Sequence, residues 1–118
     1  MSAGGMLKGG MNTSARPPWL DEAVQRLRAR LHPELILLFG SRARGTETRR
    51  SDLDLLLVLR TEAPPLTRIG QVLELLADSP WPVEVIVYTP EEFAARADTP
   101  FLRRILREGR VLYERRAA

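Results

Sequence analysis

The sequence predicts an α/β (or α+β) domain in which helices flank a small mixed β-sheet. Three apolar runs have the length of strands, at residues 34–39, 52–59 and 82–88. The segments around them repeat apolar residues at the three- and four-residue spacing of amphipathic helices. Strand and helix patterns alternating within 118 residues indicate one domain with one modest core.

The helices have clear starts and ends in the sequence. Thr89 and Glu92 form a capping box ahead of one helix, and Thr99 followed by Pro100 starts the next. Gly45 is expected in the left-handed conformation that ends a short helical turn after the first strand. We therefore predict helices at 17–32, 42–45, 66–77, 90–97 and 100–108, and a final strand at 110–113.

The composition limits the domain organisation and the kinds of chemistry. Residues 1–15 are rich in Gly and small polar residues and predict a disordered tail, residues 16–114 a folded domain, and residues 115–118 a charged tail. The absence of cysteine excludes disulfides, thiolate catalysis and zinc–thiolate sites. The apolar runs are shorter than a membrane span, and the start of the chain lacks the pattern of a signal peptide, so we expect a cytoplasmic protein with no membrane partner.

The basic residues are almost all arginines, and the net charge is +3. This balance permits contact with nucleic acid. However, the arginines are spread over every helix, and aromatic residues, which stack on bases, make up only 6% of the chain. Nucleic acid is therefore possible as a partner but not favoured.

Two acids stand at the start of the second apolar run. Asp52 and Asp54 are two residues apart, and residues at that spacing on a strand share a face. Two such carboxylates repel each other unless a cation such as Mg²⁺ lies between them. The alternative is that Asp52 is a solvated turn residue and only Asp54 faces inward.

The end of the first run has the residue types of a phosphate-binding turn. Gly40 allows close approach of the backbone, and Ser41 adds a hydroxyl donor. Arg42 and Arg44 have guanidinium groups that can neutralise a triphosphate. The alternatives are an ordinary strand-to-helix turn and arginines on a solvated face.

Further candidates are more isolated in the sequence. Glu84 is an acid within an apolar strand, and it joins the Asp pair if the third strand lies beside the second. Alternatively, it is an edge-strand residue facing water. His32, the sole histidine, is more typical of a helix cap or a surface position than of catalysis, and Arg49 and Arg50 are expected to be solvated. Together, the turn and the three acids are the parts of a two-metal phosphoryl or nucleotidyl transfer site.

The segments FGSRARG, SDLDLLLV and VEVIV, at 39–45, 51–58 and 83–87, resemble the minimal nucleotidyltransferase family of the DNA polymerase beta superfamily, in particular its antitoxin type. The resemblance implies that Gly40 and Ser41, with the neighbouring arginines, bind the phosphates of ATP. It also implies that Asp52, Asp54 and Glu84 hold two Mg²⁺ ions. Many relatives have Asp where this chain has Glu84, and the side chain of Glu is one methylene longer.

The resemblance further implies an enzyme that transfers AMP from Mg·ATP to a hydroxyl acceptor. In this family the acceptor can be a tyrosine of a helical HEPN-domain toxin, which the nucleotidyltransferase neutralises as its antitoxin. A second copy of the chain is another possible partner. Two other functions remain open: a non-catalytic module that binds nucleotide or masks its partner, and, less favoured, a transferase that acts on RNA.

Overall fold

The computed structural model describes residues 17–116. The predicted tail at 1–15 lies outside this range, as do residues 117 and 118. The described chain consists of helices and strands in the order α1 (Pro18–Leu31), β1 (Leu35–Phe39), α2 (Ser41–Arg44), β2 (Leu53–Val58), α3 (Pro65–Leu75), β3 (Val83–Tyr88), α4 (Pro90–Arg96), α5 (Pro100–Glu108) and β4 (Arg110–Glu114).

The predicted fold class is confirmed, because helices cover a four-stranded mixed sheet of order β3-β2-β1-β4. Strand β1 runs antiparallel to both of its neighbours, whereas β2 and β3 are parallel. The element boundaries lie within two residues of the predicted ones. Among these differences, Asp52 precedes β2 instead of starting it.

Alternate residues of the central strands supply two separate apolar cores. Leu53, Leu55 and Leu57 of β2 belong to the core shared with α1 and α3. Leu56 and Val58 face the other side, where Leu102 and Ile105 of α5 cover them. This alternation follows from the two-residue period of a strand, and it leaves Asp54 on the same side of the sheet as Leu56.

The helix ends confirm the predicted capping. Thr89 Oγ1 accepts from the N–H of Glu92 at 3.1 Å, and the Glu92 carboxylate accepts from the N–H of Thr89 at 3.0 Å. Gly45 ends α2 in the left-handed conformation, with φ of 78°. Across residues 17–116, no helix combines the length and the apolar character needed to cross a membrane.

Candidate active site

Three carboxylates meet at one end of the sheet. The parallel register of β2 and β3 pairs Asp54 with Glu84, and Asp52 lies two residues before Asp54. One carboxylate oxygen from each of the three acids lies within 4.8 Å of the other two. Asp54 is half-buried, and the other two are exposed. Asp52 is thus both exposed, directly before β2, and a member of the cluster, and Glu84 lies on an edge strand and beside the Asp pair.

The cluster is electrostatically unfavourable when no cation is present. Burial, then the charge of Glu84 and hydrogen bonding with it, and then the charge of Asp52 raise the pKa of Asp54 to about 6 from an ordinary 3.8, although Arg44 opposes the shift. A raised pKa means that the ionised carboxylate is poorly compensated by its surroundings. Three oxygen donors with excess negative charge suit a hard divalent cation such as Mg²⁺, so the residues present fit the predicted metal.

Gly40 makes room for one of these acids. Its φ of 75° and ψ of −158° favour glycine. A Cβ at this position would collide with Oδ2 of Asp54 and come within 3.1 Å of its Cγ. The antiparallel register explains this proximity, because Phe39 pairs with Asp54 across β1 and β2. Glycine is therefore required here by the carboxylate, in addition to any close approach of a ligand to the backbone.

Helix α2, which begins with Ser41, places Arg44 next to the acids. It starts directly after Gly40, whose carbonyl accepts from the N–H groups of Ala43 and Arg44 at 3.1 and 3.2 Å. Arg44 is close enough to Asp54 to oppose the rise in its pKa, and its Nη1 lies 3.6 Å from Oε1 of Glu108. The structure thus brings Gly40 and Arg44 to the acid cluster.

The structure places Arg42 elsewhere. Its guanidinium donates from Nε and Nη2 to the carbonyl oxygen of Ser51, at 3.2 and 2.9 Å, and it stacks 4.3 Å from the ring centroid of Trp81. Together with Leu38 and Leu53, Arg42 lines a small cavity of about 80 Å³. These two leucines belong to the core shared with α1 and α3, on the side of the sheet opposite to Asp54. Arg42 therefore holds the loop before Asp52, and its contact with nucleotide stays a prediction.

The remaining sequence candidates are His32, Arg49 and Arg50. His32 is the C-cap of α1, with φ of 52°, and its carbonyl accepts from Arg115 at 2.6 Å. The backbone N–H of Arg115 also donates to the backbone carbonyl of Glu34, directly before β1. This part of the predicted charged tail is therefore hydrogen-bonded to the folded domain. Arg49 and Arg50 are exposed in the loop, as the sequence predicts.

Sequence reasoning missed Arg110. This first residue of β4 donates from Nε to the carbonyl oxygen of Ala43 at 3.0 Å and so supports α2 from the neighbouring strand. The two residues are 67 positions apart, and no local pattern links them. The one available signal in the sequence is that Arg110 directly follows Gly109. The structure explains the glycine, because a Cβ at position 109 would come within 2.7 Å of the carbonyl oxygen of Ile105 and within 3.0 Å of the Leu37 side chain.

Comparison with known proteins shows the family to which the chain belongs. The nucleotidyltransferase domain family matches residues 20–113. A candidate protein adenylyltransferase from Methanocaldococcus jannaschii is 34% identical over 96 residues, covering 80% of this chain and 94% of that protein. A second one from the same organism is 30% identical over 105 residues, covering 81% and 70%.

Solved structures share the fold. A candidate nucleotidyltransferase from Sulfolobus solfataricus superposes with a TM-score of 0.62 at 24% identity, covering 94% of both chains. A toxin–antitoxin structure with AMP-PNP gives 0.63 at 21% identity, covering 81% of this chain and 74% of that one. A mutant of the toxin–antitoxin pair MntA-HpeT gives 0.61 at 21% identity, covering 81% and 72%.

The family match and the relatives place the chain in the class of nucleotidyl-transferring enzymes, for which the sequence predicts three clustered acids beside a Gly-Ser turn. The chain belongs to the nucleotidyltransferase domain family, and the predicted resemblance to that family is confirmed.

Proposed function

We propose that this nucleotidyltransferase transfers AMP from Mg·ATP to a hydroxyl group of a partner protein. The observation that carries the proposal is the meeting of Asp52, Asp54 and Glu84 within 4.8 Å, against the turn formed by Gly40. The names of the two Methanocaldococcus relatives support protein as the acceptor class. The AMP-PNP in one structural neighbour supports an adenine nucleotide as the donor.

The proposed reaction joins the acceptor oxygen to the α-phosphorus of ATP. The bond between that phosphorus and the oxygen bridging to the β-phosphate breaks, and pyrophosphate leaves with the bond's electron pair. Magnesium, held by Asp52, Asp54 and Glu84, would supply Lewis-acid stabilisation of the phosphate charge. Gly40 and Ser41 orient the phosphates, and Arg44 adds positive charge beside them. In this proposal Glu84 accepts the proton of the incoming hydroxyl, and its exposure on the edge strand supports that role.

The partner we propose is a helical toxin of the HEPN type, with a tyrosine as the acceptor and this chain as the antitoxin. The support is that two structural neighbours are toxin–antitoxin assemblies. A second copy of this chain is the alternative partner. For either partner, we propose that the protein acts in the cytoplasm. We also propose that Asp52, Asp54 and Glu84 together would hold two Mg²⁺ ions.

The test is intact-mass analysis of the protein product of the neighbouring gene after incubation with this chain and Mg·ATP. We expect a gain of one AMP unit, and loss of that gain when Asp52→Asn and Asp54→Asn are combined. Asp98→Asn is a matched control, since it removes an exposed acid outside the cluster. An unmodified partner, or full labelling by the double variant, would contradict the proposal.

The same experiment separates catalysis from masking. The longer side chain of Glu84 is the feature that favours a non-catalytic module. If the double variant still neutralises the partner as well as the wild-type chain does, binding alone accounts for the effect. We expect instead that neutralisation is lost together with the mass gain.

A further inference from the structure

Helix α5 presents three side chains in one stripe. Phe101, Arg104 and Glu108 are separated by three and four residues, the spacing that aligns side chains along one side of a helix. Leu102 and Ile105 point into the core beneath the sheet. The stripe is thus a separate face of α5, and all three of its side chains are at least partly exposed.

Both ends of this stripe contact the segment that surrounds Gly40. The Phe101 ring packs edge-on against Phe39, with the centroids 6.5 Å apart. At the other end, Oε1 of Glu108 lies 3.6 Å from Nη1 of Arg44. Phe39 is the cross-strand partner of Asp54, and Arg44 influences the pKa of that acid. The stripe therefore borders the segment around Gly40, with Arg104 about one turn from each end.

A single carboxylate oxygen holds two guanidinium groups at this border. Oε1 of Glu108 lies 3.4 Å from Nε of Arg104 and 3.6 Å from Nη1 of Arg44. Both distances exceed those of strong charge-assisted hydrogen bonds, so the carboxylate satisfies neither arginine well. The Arg104 side chain is 62% exposed and the Arg44 side chain 40%, so both can turn toward another anion.

We propose that Arg104 is a second guanidinium ligand for the β- or γ-phosphate of the nucleotide, working together with Arg44. Glu108 holds the two arginines near each other and competes with the incoming phosphate for them. The γ-phosphate offers three non-bridging oxygens and the β-phosphate two, whereas Glu108 shares one oxygen between the two planar guanidinium groups. This inference rests on the proposed nucleotidyl transfer and adds a binding residue to that site.

The test measures how tightly three variants and the wild-type chain bind two ligands. One ligand is the Mg²⁺ complex of a non-hydrolysable ATP analogue, and the other is AMP. Arg104→Ala should weaken binding of the analogue about tenfold, the usual scale for a lost charge-assisted hydrogen bond, and should leave AMP binding unchanged. Arg103→Ala is the control, since it removes one exposed arginine from the same helix, and it should change affinity less than about threefold. Glu108→Gln should tighten analogue binding a few-fold because the competing charge is gone.

Equal effects of Arg104→Ala and Arg103→Ala would overturn the inference, as would an equal loss of AMP and analogue binding in Arg104→Ala. Weaker analogue binding by Glu108→Gln would overturn the competing role of Glu108. Melting temperatures close to that of the wild-type chain verify that the variants are folded. If the wild-type chain itself binds no Mg²⁺–nucleotide complex, the proposed function fails, and this outcome is distinct from the others.

Discussion

At the scale of single residues, the ionised carboxylate of Asp54 destabilises the folded protein when no cation is bound. This carboxylate contacts Gly40 on one side and faces two further acids on the other. The sequence predicts the shared face of Asp52 and Asp54, because a spacing of two on a strand is a local property. It does not predict that a Cβ at Gly40 would collide with Asp54, because that contact depends on the register between two strands.

Asp54→Asn should stabilise the metal-free protein at pH 8. The folded pKa of Asp54, about 6, lies above its ordinary 3.8, so the folded state binds the proton more tightly than the unfolded state. Ionisation of Asp54 therefore lowers the free energy of unfolding as pH rises from about 3.8 to 6, and the cost is complete above that range. After allowance for solvent screening, we expect a gain of about 1 kcal/mol in urea unfolding with EDTA present.

Two further conditions define this prediction. The gain should disappear at pH 4, where Asp54 is protonated in the folded wild-type chain. Added Mg²⁺ should raise the melting temperature of the wild-type chain more than that of Asp54→Asn, because the variant lacks one metal ligand. Asp98→Asn serves as the control: its stability at pH 8 in EDTA and its response to Mg²⁺ should both match those of the wild-type chain. An Asp54→Asn chain less stable than wild type at pH 8 in EDTA would contradict the assigned electrostatics.

At the scale of helices and strands, one buried arginine joins α3 to the start of α4. Arg68 is 7% exposed; its Nε donates to the carbonyl of Ala63 at 2.8 Å, and its Nη1 donates to Oε1 of Glu92 at 2.7 Å. The same oxygen accepts the N–H of Thr89. The capping box could be predicted from four consecutive residues, whereas the contact with Arg68 spans 24 positions and leaves no local pattern.

Arg68→Met should lower the free energy of unfolding by about 2 kcal/mol at pH 7, because it leaves the Ala63 carbonyl and Glu92 without a shared donor. Urea denaturation measures this loss. Arg60→Met is the matched control, since the side chain of Arg60 is 71% exposed in its ion pairs with Glu34 and Glu91, and its loss should cost less than about 1 kcal/mol.

The effect of Arg68→Met should also depend on pH. Hydrogen bonding from Arg68, followed by that from the Thr89 N–H, lowers the pKa of Glu92 below its ordinary 4.5. A lowered folded pKa stabilises the protein above the ordinary value, and the contribution is lost as pH falls through the folded value. The difference between wild type and Arg68→Met should therefore be smaller at pH 3 than at pH 7. Equal losses for the Arg68 and Arg60 variants at pH 7 would contradict a stabilising role for the buried Arg68 side chain.

At the scale of the whole molecule, the last strand, β4, completes the sheet. The sequence predicts four strands but not their order, because pairing between distant strands depends on the packing of the complete chain. The structure places β4 next to β1 and thereby covers the edge of the strand that leads into Gly40. Arg110 then connects β4 to α2.

Truncation after Gly109 should abolish cooperative unfolding. Without β4, the backbone of β1 becomes an unpaired edge, and Leu37 and Leu38 lose the partners that Val111 and Arg110 provide. Far-UV circular dichroism during thermal unfolding and amide hydrogen exchange of β1 measure the loss. The point variant Arg110→Ala removes the Ala43 contact alone, so it should unfold cooperatively at a lower temperature. A truncated chain that melts like the full-length protein would contradict a structural role for β4.

The position of β4 next to β1 has a consequence during synthesis on the ribosome. All three acids have been translated once Glu84 is made, but the strand that completes the sheet comes only with residues 110–114. A long loop must close before β4 reaches β1, and such pairings form late and slowly. A nascent chain interrupted between Glu84 and Arg110 thus contains every candidate metal ligand without the finished sheet that positions them. We expect nucleotide transfer to begin only after the last strand has been released and paired.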